Sequence, residues 1–176
     1  MSATFRGSVR NENDLYMTPA SAFMPMMPYL LQLPSPLWDP AEGDGRLVRW
    51  MNEWKNPGWQ WTKHMSGRPA FGTDLASGGG DFLKCVDTVA ETICTNPPFS
   101  LAFEFCQHAL TLSDNVVMLL RLNFLASVKR RDWFQKNPPN AIFVLSKRPS
   151  FVNNKTDACD YGFVVWSRHL SGIHFL

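Results

Sequence analysis

The stretch from Glu91 to Phe124, ETICTNPPFSLAFEFCQHALTLSDNVVMLLRLNF, decides the fold class. It opens with a short strand-like run that two prolines end, because proline cannot donate to a β-ladder. Leu101, Phe105 and Ala109 then recur at helical spacing. The run at 115–124 is almost continuously apolar, as in a strand that is covered on both faces. A strand, a helix and a buried strand in this order favour a parallel α/β sheet.

The same alternation extends along the chain. Strands are predicted at PLWD 36–39, AFGTDL 70–75, a weak DFL 81–83, ETICTN 91–96, NVVMLLRLNF 115–124, AIFVLSK 141–147 and YGFVVW 161–166. Leu47, Trp50, Met51 and Trp54 fall on one face of a helix between the first two strands. The pattern predicts one α/β domain over 15–176, built on a seven-stranded, mostly parallel sheet. The polar residues 1–14 predict a flexible N-terminal segment.

Composition excludes several classes of protein. With 176 residues, 45% hydrophobic and 18% charged, the chain has the composition of a globular protein rather than a disordered one. Its net charge of +2 is too small to indicate a class of binding partner. The four cysteines form no Cys-x-x-Cys pair and no zinc-ligand spacing, so we expect no metal and reduced thiols in a cytoplasmic protein. The apolar stretch at 23–33 is interrupted by Pro25 and Pro28, and we expect no membrane span.

Polar and glycine residues follow the predicted strands, where parallel sheets bind ligands. Gly43 and Gly45, in WDPAEGDG at 38–45, allow a tight turn and a close approach to a ligand. Asp39 can accept a hydrogen bond from an ammonium group, and Asp74 can accept from ribose hydroxyls. A nucleotide phosphate would also fit such a loop, and a plain turn is the simplest alternative.

Three short motifs resemble one enzyme family. WDPAEGDG resembles the Asp-Pro-x-x-Gly-x-Gly cofactor loop of S-adenosylmethionine-dependent methyltransferases, and YMTP at 16–19 is similar to their upstream cofactor motif. NPPF at 96–99 resembles the catalytic motif of the adenine-specific DNA methyltransferases. The resemblance extends from Tyr16 to Trp166 and implies a Rossmann-like, class I methyltransferase fold with helices on both faces of the sheet. With 176 residues the chain departs from the family, because we expect no room for a separate target-recognition domain, inserted or appended. The resemblance further implies a cytoplasmic enzyme of a bacterial or phage-infected cell.

The resemblance also implies which residues bind S-adenosylmethionine. They are Tyr16, Thr18, Pro19, Asp39, Pro40, Gly43, Gly45, Asp74 and Asp81. Asp81 would lie near the adenine of the cofactor, and an exposed loop acid is the equal alternative.

Asn96, Pro97, Pro98 and Phe99 would form the catalytic motif. The lone pair of an aromatic amine is delocalised into the ring, so the site needs acceptors that hold its N–H bonds. The Asn96 side-chain oxygen and the Pro97 carbonyl can supply two, held in direction by the prolines. Phe99 would stack on a base taken out of the duplex, worth ~1–3 kcal/mol, with core packing as the alternative. A second copy, Asn137-Pro-Pro-Asn140, lacks the aromatic residue and precedes a strand, so it is predicted to be a loop.

A basic segment spans 121–148 and favours DNA as the partner. The predicted phosphate contacts are Lys129, Arg130, Arg131, Lys147 and Arg148. A solvated helix face explains the first three equally well. Base reading would come from loops 125–140 and 148–160, from a recognition partner or from a homodimer. Methylation of RNA adenine or protein glutamine, and a catalytically silent DNA-binding protein, are the alternatives.

Overall fold

The computed structural model describes residues 16–54, 69–88, 90–151 and 158–176, so the predicted flexible segment 1–14 lies outside the described residues. The described residues form one sheet with strand order β2-β1-β3-β4-β6-β5-β7. The strands are β1 (Leu37–Asp39), β2 (Ala70–Gly72), β3 (Thr92–Thr95), β4 (Val116–Arg121), β5 (Ala141–Val144), β6 (Tyr161–Trp166) and β7 (Gly172–Phe175).

The sheet is mixed but mostly parallel. Strand β6 pairs antiparallel with β4 and β5, and every other neighbouring pair in the described sheet is parallel. Six strands therefore run in one direction and β6 alone is reversed. The prediction of a mostly parallel, seven-stranded α/β sheet is confirmed at this level.

The strand predictions are corrected at three places. The predicted strand at 81–83 is wrong, because Phe82–Lys84 form a 3₁₀ helix that the Asp81 side chain caps by accepting from the Leu83 N–H at 3.1 Å. Strand β7 was missed, because its exposed run contains a glycine and is fixed by pairing with β5 rather than by its own pattern. The predicted strand at 115–124 also ends early, at Arg121, where a 3₁₀ turn begins.

The described residues form five α-helices and several 3₁₀ turns, of which the first two helices precede β1 and the other three connect strands. The helices are α1 (Ala20–Phe23), α2 (Met27–Leu30), α3 (Arg46–Glu53), α4 (Ala102–Leu112) and α5 (Arg131–Lys136). As predicted, α3 buries Leu47 and Met51, and α4 buries Phe105 and Ala109. In the parts of the chain that the structure describes, no helix combines the length and the apolar character needed to cross a bilayer.

Alternate residues of β4 point into two separate apolar clusters. Val117 and Leu119 pack on one side with residues of α1, α2 and α3, whereas Val116 and Met118 pack on the other side with residues of α4. This alternation follows from the two-residue period of a strand. Helices thus cover both faces of the sheet, as expected.

The carboxyl ends of all strands except β6 meet at one border of the sheet, which we call the carboxyl edge. The chain leaves β1 toward β2 on one side and returns to β3 on the other, so β1 and β3 flank a topological switch point. Ligands bind at such points in open α/β sheets. Asp39 ends β1, and Asn96 directly follows β3.

Core packing should dominate stability. Phe163 is 1% exposed, and its ring centroid lies 6.1 Å from that of Phe23. Phe175, also on a strand, is 75% exposed. We expect Phe163→Ala to lower the free energy of unfolding by about 3–5 kcal/mol, and Phe175→Ala to change it by less than about 0.5 kcal/mol. Urea unfolding measures both, and equal losses would contradict this packing.

Candidate functional site

A cavity of about 750 Å³ lies at the carboxyl edge. Its volume is within the range of small-molecule sites. It is lined by parts of five segments: 16–18, 39–47, 74–77, 81–83 and 96–105. The residues predicted to bind cofactor that line it are Tyr16, Thr18, Asp39, Pro40, Gly43, Asp74 and Asp81. Pro19 and Gly45 do not line it, and instead occupy the N-cap positions of α1 and α3.

Carboxylates dominate the charge of the cavity wall. Among the described lining residues, the acids outnumber the cations, since Arg46 is the one basic side chain. The acids are Asp39, Glu42, Asp44, Asp74 and Asp81. Arg46 donates to both carboxylate oxygens of Asp44 at 2.6–3.0 Å, and these hydrogen bonds lower the pKa of Asp44. The excess of negative charge favours a cationic ligand and disfavours a nucleotide phosphate.

The glycine loop after β1 is tied to the loop after β2. Gly43 and Gly45 have φ of 56° and 73°, a left-handed conformation in which glycine is favoured. The Gly43 N–H donates to Asp74 Oδ2 at 3.1 Å, and the Ala76 N–H donates to Asp74 Oδ1 at 2.7 Å. Asp74 thus organises both loops while each of its oxygens keeps a lone pair for a ligand hydroxyl.

Asp39 is 1% exposed although it lines the cavity. Its Oδ1 accepts from the Ala41 N–H at 3.1 Å. Burial raises the pKa of Asp39 to about 7, and the neighbouring Thr95 hydroxyl and the Ala41 amide offset the rise only in part. The Thr95 hydroxyl lies close to the carboxyl without meeting hydrogen-bond geometry. A cationic ligand would favour the ionised form of this carboxyl.

Asp81 is held at the cavity by local contacts. It accepts from the Leu83 N–H and forms an ion pair with Lys84 at 3.0 Å. The Lys84 hydrogen bond is the main cause that lowers the pKa of Asp81. Asp81 is therefore an ionised acceptor beside the cavity and, at the same time, the cap of the 3₁₀ helix.

The side-chain amide of Asn96 is fixed in orientation. Its Nδ2 donates to the Tyr16 carbonyl oxygen and to Thr18 Oγ1, each at 3.0 Å. A carbonyl oxygen can only accept, so the amide nitrogen must face Tyr16. Asn96 Oδ1 is left buried with no hydrogen-bond partner among the described residues. A buried acceptor without a donor costs about 1–3 kcal/mol, which makes this oxygen a candidate to bind a ligand N–H.

Two of the other predicted catalytic residues, Pro97 and Pro98, also line the cavity, but Phe99 does not. The Phe99 ring stacks with Tyr16 at 5.1 Å, and the Arg121 guanidinium lies 4.5 Å from its centroid. Phe99 is half-buried and packs as a core residue would in this structure. A stacking base would compete with Tyr16 or Arg121 for the faces of the ring.

The predicted phosphate-binding residues lie on connections that leave the carboxyl edge, and they differ in their contacts. Lys129, Arg131 and Lys147 are exposed. Arg130 Nε donates to the Phe124 carbonyl oxygen at 2.9 Å, and its guanidinium lies over the Phe124 ring. These contacts give Arg130 a structural role at this position.

Arg148, the last of the predicted phosphate contacts, forms an ion pair with Asp160 at 2.7 Å. Both side chains of this pair are about half exposed, so the pair contributes little stability.

The second Asn-Pro-Pro copy is a loop, as predicted. Asn137 ends α5, and its Nδ2 donates to the Trp133 carbonyl oxygen at 3.0 Å. Its own carbonyl oxygen accepts from Trp166 Nε1. Every one of these contacts is internal, and the loop leads into the amino end of β5, away from the cavity.

Arg46 was not predicted from the sequence. Its Nη1 donates to the Thr18 carbonyl oxygen at 3.2 Å, which links the glycine loop to segment 16–18. The sequence did carry a signal, because Arg46 is the first residue of α3 and a cation is disfavoured at a helix N-terminus. Such a residue needs partners elsewhere, here Asp44 and Thr18.

The chain matches no protein-family model and no curated protein. Across the described residues, no cluster of three or more His, Cys, Asp or Glu side chains could hold a metal ion. Function is therefore inferred from the cavity and the residues around it.

Burial of Asp39 should make stability depend on pH. The folded protein retains the Asp39 proton between about pH 4 and 7, whereas the unfolded chain loses it, so stability falls as pH rises through this window. Moving the pKa from 3.8 to about 7 corresponds to roughly 4 kcal/mol at most. We expect the stability of Asp39→Asn relative to wild type to increase from pH 4 to 7 and then level off.

Denaturant unfolding at several pH values measures this difference. The exposed Asp114 supplies the matched control, Asp114→Asn, which removes a surface carboxyl and leaves Asp39 in place. A constant difference between Asp39→Asn and wild type across the window would contradict the buried carboxyl.

Proposed function

We propose that the protein transfers a methyl group from S-adenosylmethionine to the exocyclic amine of adenine in DNA. One observation carries the proposal: Asn96, at the wall of the cavity, has its amide nitrogen engaged and its oxygen buried without a donor. An acceptor kept in this state suits a substrate that brings an N–H group. This proposal includes the Rossmann-like, class I methyltransferase assignment of the fold.

The cavity fits the proposed cofactor in size and in charge. When bound, S-adenosylmethionine supplies an electrophilic methyl carbon on a sulfonium, and it also carries an ammonium group. The buried Asp39 would accept from the ammonium, and this contact would favour the ionised carboxylate. Asp74 would accept from ribose hydroxyls with the lone pairs that its backbone contacts leave over.

Asn96 and Pro97 would hold the amine. Asn96 Oδ1 and the Pro97 carbonyl oxygen would each accept one N–H bond, which draws the nitrogen lone pair out of the ring and toward the methyl carbon. Asn96 and Pro97 would thereby hold the amine nitrogen toward the methyl carbon that the cofactor would supply. The nitrogen would gain the bond to that carbon, the carbon–sulfur bond would break with its electron pair staying on sulfur, and the surplus amine proton would leave to solvent. The two prolines restrict the backbone at this point, so the acceptor pair is held in advance of binding.

DNA is the favoured substrate because exposed cations lie on the connections at the same edge as the cavity. Lys129 and Arg131 follow β4, and Lys147 follows β5. Phosphate neutralisation provides most of the sequence-independent affinity for nucleic acid. The proposal implies a protein of the DNA-containing compartment, the cytoplasm of a bacterial or phage-infected cell.

Replacing Asn96 tests the catalytic role. We expect Asn96→Ala to lower the methylation rate by about 100-fold or more, because the substrate amine loses an acceptor. Its affinity for S-adenosylmethionine, measured by calorimetry, should stay within about twofold of wild type. Asn137→Ala, in the second Asn-Pro-Pro copy, is the matched control and should keep wild-type turnover.

Undiminished turnover in Asn96→Ala would contradict the mechanism. A wild-type protein that does not bind S-adenosylmethionine would contradict the enzyme itself and favour a catalytically silent DNA-binding protein.

A salt titration of DNA binding tests the substrate class. For a polyphosphate ligand, the logarithm of affinity falls steeply with the logarithm of salt concentration, and the double variant Lys129→Gln/Arg131→Gln should reduce the slope by about 2. Arg168→Gln is the control, because Arg168 follows β6 at the opposite edge of the sheet. A flat wild-type slope would favour protein glutamine as the substrate, and tighter binding to RNA would favour RNA adenine.

A further inference from the structure

Segment 16–18 connects the glycine loop to the Asn-Pro-Pro-Phe motif. Thr18 is 3% exposed, and its hydroxyl oxygen accepts from Asn96 Nδ2 at 3.0 Å. The carbonyl oxygen of Thr18 accepts from Arg46 Nη1 at 3.2 Å. Thr18 therefore contacts both motifs at once, one through its side chain and the other through its backbone.

The guanidinium of Arg46 is itself held in place by Asp44. Its Nε and Nη2 donate to the Asp44 carboxylate at 2.6–3.0 Å, a bidentate arrangement that fixes the plane of the guanidinium. Because the guanidinium is rigid, fixing Nε and Nη2 also fixes the direction of Nη1. The glycine loop thus determines where the Thr18 backbone lies.

The orientation of the Asn96 amide decides whether an amine can bind. With Nδ2 on Tyr16 and Thr18, the oxygen is the group left over, and it accepts. If the amide were rotated by 180°, its NH₂ group would take the place of the unpaired oxygen. That donor would repel the N–H groups of an amine. Keeping the first orientation requires acceptors at Tyr16 and Thr18.

We propose that Thr18 and Arg46 are positioning residues that hold the Asn96 oxygen as the acceptor for the substrate amine. This inference rests on the proposed methyl transfer to an exocyclic amine. It gives Thr18 a task different from the cofactor contact that the sequence predicted. It also links the geometry of the cofactor loop to that of the amine acceptor through the path Asp44, Arg46, Thr18 and Asn96.

Two substitutions of Thr18 separate positioning from packing. Thr18→Val keeps the shape and removes the acceptor, whereas Thr18→Ser keeps the hydroxyl. We expect Val to lower the single-turnover methylation rate about tenfold, with cofactor affinity within about twofold, and we expect Ser to restore most of the rate. Arg46→Gln should likewise lower the methylation rate while keeping cofactor affinity within about twofold. Arg49→Gln, at an exposed position of the same helix, is the matched control.

A second readout needs neither cofactor nor DNA. In ¹⁵N-labelled protein, the Asn96 side-chain amide signals, assigned by their loss in Asn96→Asp, should shift in Thr18→Val and stay in place in Thr18→Ser. Urea midpoints show whether each variant is folded. Wild-type rate together with unmoved amide signals in Thr18→Val would overturn the inference.

Failure of the proposed function gives a result different from failure of the positioning inference. A wild-type protein without methyl transfer would overturn both the enzyme and the contribution of Thr18 to methyl transfer. In that case the amide signals would still report whether Thr18 orients Asn96.

Discussion

The two hydrogen bonds from the Asn96 amide nitrogen to Tyr16 and Thr18 are the constraint on which the candidate site depends. The Tyr16 carbonyl cannot donate, so these bonds fix the amide and leave its oxygen buried without a donor. Most buried polar atoms in proteins have partners, and an exception calls for a reason. Under the proposed function, a substrate that brings the missing donor is such a reason, and Asn96 lines the cavity in which that substrate would bind.

The rest of the fold keeps this arrangement in place. Strand β3 ends at Thr95, and the two prolines that follow Asn96 prevent the ladder from continuing. Across the switch point, β1 ends at Asp39, whose loop is tied to the loop after β2 through Asp74. The carboxylates of Asp39 and Asp74 and the amide of Asn96 thus line the same cavity. Under the proposed function, the carboxylates would bind the cationic part of the cofactor and the amide oxygen would bind the substrate amine.

Much of the fold followed from local patterns. The strand, helix and buried strand at 91–124 indicated a parallel sheet, and residues that follow parallel strands must meet at one edge. For this reason Asp39, Asp74 and Asn96, far apart in the sequence, line one cavity. Strand β7 was not predicted, because its partner β5 is distant in sequence and its own residues are mostly exposed.

Two features of the site depend on contacts between distant residues, and no single stretch encodes them. Arg46 reaches Thr18 only after the glycine loop has folded and Asp44 has fixed the guanidinium. Phe99 was expected at the base pocket, but Tyr16 and Arg121 already pack on its ring. The side chains that compete for one ring face depend on how the loops at the carboxyl edge pack together. Sequence spacing carries no information about that packing.

The most direct measurement is the chemical identity of the methylated product. DNA would be incubated with the protein and methyl-labelled S-adenosylmethionine, digested to nucleosides and separated by chromatography. If the proposed function is right, the label will appear in deoxyadenosine methylated on its exocyclic amine. Label in a cytosine derivative would contradict the proposed function. So would the absence of label from every nucleoside although the cofactor binds.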